Sequence, residues 1–64
     1  MKAKVGVEYY QFAIGVVTVT DIVTRIPNGE TLIVHQRYPQ DEKYACNIEH
    51  FEGKVDGVNR FELI

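Results

Sequence analysis

The stretch YACNIEHFEG, residues 44–53, holds the single cysteine of the chain, one of its two histidines and two glutamates. A thiol beside an imidazole is the pairing of nucleophilic catalysis, and thiol, imidazole and carboxylate are the ligand types of metal sites. Whether Cys46, Glu49 and His50 can act together depends on the backbone that carries them. On a helix, Cys46 and His50 would be neighbours four residues apart. On a strand they would share a face but lie roughly 13 Å apart, at about 3.3 Å per residue. A pairing across a hairpin would instead put His35 opposite Cys46. The elements therefore come first.

From Val16 to Ile26 the run VVTVTDIVTRI is almost wholly β-branched, which costs side-chain freedom in a helix and suits a pleated surface. It reads as a strand. Pro27, Asn28, Gly29 and Glu30 follow, and Asn-Gly supplies the two positive φ angles of a type I′ hairpin turn, after which ETLIVHQRY runs back. Pairing Pro27 with Glu30 sets Arg25 against Leu32, Val23 against Val34, Asp21 against Gln36 and Val19 against Tyr38. One face then carries Val17, Val19, Val23, Leu32, Val34 and Tyr38 and is expected to be buried. The other carries Thr18, Thr20, Ile22, Thr24, Ile33, His35 and Arg37 and is expected to be wet.

Residues 39–42 read as a turn, and KYACNIEHF alternates as a further strand. The N-terminal KAKVGVEYYQF alternates Val5, Val7 and Tyr9 against Lys4, Gly6 and Glu8, with Gly15 marking a bend or bulge before the next strand. Gly53 to Gly57 gives a turn, and Asn59 to Ile64 a closing strand with Phe61 and Leu63 on one side. These are five short strands without a convincing helix, with a compact EHFEG turn before the last. The expected class is all-β, a small five-stranded antiparallel barrel in a single domain over residues 1–64. That element order resembles the SH3-like barrels of Tudor, chromo-type and KOW modules.

This pattern bears on the cysteine. With His35 opposite Cys46, Val34 would lie beside Asn47 and Leu32 beside Glu49, mixing apolar and polar on the face assigned to the core. Since a slip of one residue exchanges the faces, a better fit sets Tyr38 against Tyr44, Gln36 against Cys46 and Val34 against Ile48. His35 then sits beside Asn47 on the wet side. Cys46 is expected to serve as a small core hydrophobe with no base beside it. One cysteine and two distant histidines also lack the paired spacing of a zinc site, so no metal or other cofactor is expected. Asp41, Glu42, Glu49 and Glu52 read as solvated loop carboxylates rather than an acid–base pair. No phosphate loop, dinucleotide fingerprint or nucleophile elbow occurs, and a non-enzymatic role is expected.

Composition narrows the class further. A 64-residue chain with 45% hydrophobic residues, four tyrosines and three phenylalanines has enough apolar surface to fold, although a domain this small buries only roughly 60% of its unfolded surface. One cysteine forms no internal disulfide, and neither a signal sequence nor an apolar run near the roughly 20 residues of a membrane span is visible. A cytoplasmic protein is expected, without a membrane partner. Seven basic and nine acidic side chains give a net charge of −2, which is not the basic footprint of phosphate binding.

What remains is a binding surface. Tyr9 and Tyr10 must leave opposite faces of a strand, so one of them is exposed. Arg and Tyr are the residues enriched at interface hot spots. The expected partner-binding patch is Tyr10, His35, Arg37 and Tyr38, with Arg25 at its margin. It would dock on a protein partner through a barrel face or a free strand edge, and the edge could equally pair with a second copy in a homodimer. Small chains without catalytic motifs recur among phage and plasmid accessory proteins that inhibit or redirect a host factor, which is the expected setting. The alternative is a nucleic-acid binder, with the aromatics stacking bases and Lys2, Lys4, Arg25, Arg37 and Arg60 on phosphates.

Overall fold

The computed structural model describes residues 3–37 and 42–64. Its elements are β1 (Glu8–Gln11), β2 (Gly15–Thr24), β3 (Thr31–Arg37), β4 (Lys43–Asn47), α1 (Ile48–Glu52), β5 (Lys54–Val55), β6 (Val58–Asn59) and β7 (Phe61–Leu63). The fold is all-β. Five strands form one sheet in the order β4-β3-β2-β1-β7, and β5 and β6 form a separate two-stranded hairpin. Every pairing is antiparallel. The chain thus meanders through four strands, turns once through α1, and returns β7 to the far side of β1.

The core consists of Ala3, Tyr9, Val17, Val19, Ile33, Phe51 and Phe61, with Val7, Ile22, Cys46 and Ile48 packed against it. Its composition corrects the expected faces of the central hairpin. Val17 and Val19 are buried as expected, but on β3 the buried residues are Ile33 and His35. The cause is a β-bulge between Val19 and Asp21. Unbroken alternation would carry Val17, Val19, Asp21 and Val23 to one face and draw the Asp21 carboxylate inward, which is costly without a partner. One extra residue, Thr20, turns Asp21 out, where its carboxylate is 3.9 Å from the Lys43 ammonium. Ile22 moves inward and Val23 is left 43% exposed. The Thr20 hydroxyl donates to the Val34 carbonyl at 3.4 Å, inside the irregular stretch.

The turn differs as well. Arg25 N–H donates to the Glu30 carbonyl at 2.7 Å and Gly29 N–H to the Arg25 carbonyl at 2.9 Å. The loop is therefore four residues long, Ile26 to Gly29, and Val23 pairs with Leu32 rather than Val34. Gly29 has a positive φ of 72°, but Asn28 does not adopt the second positive angle that a type I′ turn needs. Its side-chain oxygen instead accepts from Glu30 N–H at 3.0 Å. Two successive positive angles occur at Asp56 and Gly57, 51° and 79°. There the stretch expected to be a plain turn closes the β5–β6 hairpin, pairing Val55 with Val58.

Other expectations are revised at the ends. KYACNIEHF is a strand only as far as Asn47, whose side-chain oxygen accepts from His50 N–H at 2.7 Å and caps α1. Asparagine favours this local bond over continuing a ladder. The N-terminal strand begins at Glu8, preceded by a turn in which Gly6 takes φ 85° and donates to the Val19 carbonyl at 2.8 Å. Tyr38, assigned to the core face and the binding patch, lies outside the described residues, as does Lys2.

The bulged register makes a direct prediction. Ile33→Thr should cost about 2 kcal/mol or more by placing a hydroxyl in the core, whereas Val23→Thr should stay within about 0.5 kcal/mol. Urea denaturation of the two variants checks this, and the regular register predicts the reverse order.

Candidate functional site

Two clefts are lined by different members of one chain of rings. Tyr9 meets Phe51 edge-on at 5.2 Å, Phe51 stacks on Phe61 at 4.4 Å, and Phe61 meets the His35 imidazole edge-on at 5.2 Å. His50 and Tyr44 extend this chain, at 6.5 Å from Phe61 and 6.2 Å from His35. A wide apolar cleft of about 620 Å³ lies on the side of Val7, Tyr9, Phe51, Phe61 and Leu63. A smaller one of about 250 Å³ is lined by Gln11, Ile14, His35, Arg37, Tyr44, Cys46 and His50 among others.

Local sequence explains the smaller cleft. Pairing of Ile33 with Cys46 and His35 with Tyr44 replaces the expected pairing of Gln36 with Cys46 and His35 with Asn47. The bulge has turned Ile33 and His35 inward, so β4 must present Tyr44 and Cys46 to the same side. Cys46 packs against the core as expected of a small hydrophobe. Asn47 then turns the chain into α1, which brings His50 round to the cleft that Cys46 and His35 also line. Arg60 fastens this turn: its Nη1 donates to the His50 carbonyl at 2.9 Å and lies 3.2 Å from His50 Nδ1. Gly53 is needed beneath it, because a Cβ there would sit 3.0 Å from the Glu49 carbonyl oxygen and 3.4 Å from Arg60 Nη1.

The titrating groups follow from burial. Cys46 is pushed above the usual thiol range by burial, only partly offset by the Arg60 charge, so it stays protonated. His50 is lowered, first by burial and then by Arg60; with Arg60 donating to Nδ1, the proton of the neutral ring sits on Nε2. His35 is lowered chiefly by burial, opposed by the Ile33 backbone and reinforced by His50. Only 5% of it is exposed, and its Nδ1 has no hydrogen-bond partner among the described residues, a condition that typically costs about 1–3 kcal/mol. Tyr44 donates to the Glu42 carboxylate at 2.7 Å, and that bond and the carboxylate charge raise its phenol. The lining groups two imidazoles with Cys46, where no base was expected, while burial disfavours the thiolate. Among the described residues, no three histidine, cysteine, aspartate or glutamate side chains are grouped to hold a metal ion.

No family model, curated protein or solved structure matches this chain. The site must be read from its own geometry.

That geometry divides the expected patch. Tyr10 pairs with Val16 and is exposed on the outer face. Arg37 pairs with Val17, on the inner face, and reaches the small cleft beside His35. His35, expected on a wet face with Arg37, is in the core, for the bulge reason given above. Arg25 is at the far turn, 3.8 Å from Glu30. The cations of the alternative reading are dispersed: Arg60 is committed to His50, and Lys4 lines the larger cleft rather than the one Arg37 lines. Sequence reasoning missed Gln11, Ile14 and His50 as lining residues. His50 could have been found from Asn47, three residues earlier, as a helix cap.

The buried imidazole carries a pH consequence. Its folded pKa is below the ordinary 6.5, so on acidification the unfolded chain takes the proton first. Stability should be complete above that range and decline as pH falls below 6.5. The groups facing His35 are Arg37, Tyr44, Cys46 and His50, and His50 adds a term of the same sign. Urea midpoints measured between neutral and mildly acid pH should fall in the native protein, and His35→Phe should flatten the decline to the part due to His50.

Proposed function

We propose that this chain is a non-enzymatic binding module, a small SH3-like barrel that docks on a protein partner. The barrel reading is supported by the order of the elements: a four-strand meander, one turn of helix, and a last strand returned beside the first. The docking reading is carried by one observation. Tyr10, Phe12, Ile14 and Val16 are all exposed within the seven residues of the β1–β2 hairpin. Tyr10 and Val16 lie directly opposite each other, and Ile14 forms part of the wall of the small cleft. Core formation does not account for so many exposed apolar side chains in one hairpin of so small a domain, and exposed apolar surface with aromatic residues is the mark of an interaction site. Arg37 of β3, paired with Val17, shares the small cleft with Ile14 and supplies a polar group beside it.

The test is affinity capture with the native chain and with a Tyr10→Ser, Phe12→Ser double variant, with and without nuclease, at salt from roughly 0.05 to 0.2 M, across which phosphate contacts weaken steeply. Both residues are exposed, so the variant should keep its fold. One protein retained after nuclease, weakly sensitive to salt and lost from the variant, is the expected outcome. Retention abolished by nuclease or by modest salt would replace the docking reading with nucleic-acid binding.

A further inference from the structure

The small cleft has an unusual charge balance. The chain carries nine acidic side chains against seven basic ones, yet among the described residues no carboxylate lines this cleft, while Arg37, His35, His50 and Gln11 do. The other positive side chains nearby are engaged, Lys43 with Asp21 and Arg60 with the His50 carbonyl. Glu42 takes the Tyr44 hydroxyl without joining the lining. That leaves the Arg37 guanidinium, the Gln11 amide and the Nε2–H of His50 as donors. His35 beneath them is buried with Nδ1 lacking a partner among the described residues. Ile14, Val17 and Ala45 give the remaining wall an apolar character.

Size and position narrow the occupant. At about 250 Å³ the cleft falls below the roughly 300–1,000 Å³ of drug-sized ligand pockets, and suits one short side chain with a charged tip and a methylene stem. It adjoins β4, an edge of the sheet, and Tyr44, Ala45 and Cys46 of that strand line it. A strand added to β4 would direct alternate side chains to the face shared by Tyr44 and Cys46.

We propose that this cleft receives the carboxylate of a glutamate side chain, carried on an extended segment of the partner that pairs with the free edge of β4. The inference rests on the docking reading and assigns its chemistry: Arg37 forks the carboxylate in a bidentate contact, and the neutral imidazole of His50 donates at the side.

The experiment titrates the ¹⁵N-labelled protein with a blocked peptide, Thr-Val-Glu-Val-Thr, with its Glu→Gln counterpart, and with glutarate. The expected result is movement of the Ala45, Cys46 and Arg37 resonances, with the Glu peptide bound about tenfold or more tightly than the Gln peptide, the scale of one charged hydrogen bond. Arg37→Ala should erase that preference; its side chain is exposed, and an unchanged spectrum elsewhere would show the fold intact. Equal affinity for the two peptides, or no binding, overturns the proposal. Response to glutarate alone overturns the strand-borne side chain in favour of a small acid. If the peptides fail while capture still depends on Tyr10 and Phe12, docking stands and this cleft assignment falls. If capture fails while the Glu peptide binds selectively, the cleft assignment stands and docking on that hairpin falls.

Discussion

The fold depends on the packing around Phe61. Its ring lies on Phe51 from α1 at 4.4 Å and meets His35 from β3 edge-on at 5.2 Å. Those contacts join the last strand to the middle of the sheet and to the helical turn. β7 itself is three residues long and has one paired neighbour, β1. Hydrogen bonding along so short an edge strand is weak support, whereas stacked and edge-to-face rings add about 0.5–1.5 kcal/mol each beyond their buried area. The rings therefore hold the strand as much as the strand positions the rings. The same packing explains why a histidine is tolerated in the core: its edge and face meet aromatic neighbours, and its neutral form carries no charge to bury.

Much of the fold was legible from residue types. Val16 to Ile26 declared itself a strand by β-branching, of which β2 keeps all but the last two residues, the paired glycine and asparagine marked a reversal, and the main sheet contains five strands. The faces were not legible, and the reason lies in one residue. Perfect alternation through β2 would have buried Asp21, and the chain answers that conflict with Thr20 as an extra residue. Because side chains alternate with a period of two, this single insertion exchanges the inward and outward sets of everything beyond it, including Ile33 and His35 on the neighbouring strand. Asp21 at an inward position was the visible warning.

The candidate site was harder to read, because it is assembled from three separate reversals: the β1–β2 turn, the far end of β3, and the step from β4 into α1. Arg37 could be named from its type, but its company could not. Cys46 and His50 are neither helical neighbours nor extended-strand neighbours. Asn47 ends the strand between them, and the resulting corner brings both to one cleft by a route that neither regular geometry describes. Local capping chemistry, not hydrophobic periodicity, was the informative signal there.

The bulge at Thr20 also governs how this chain can change over time. Substitutions at many exposed positions alter little more than the surface, and loss of Thr20 would leave a regular strand with Val19 inward, Asp21 outward and Ile22 inward, the same faces as now. Strand length at that point is thus open to the loss of the one bulged residue, whereas straightening the bulge with every residue kept would bury Asp21. Divergent descendants of this protein would keep an inward aliphatic residue on each side of that point while the spacing between the two differs by one.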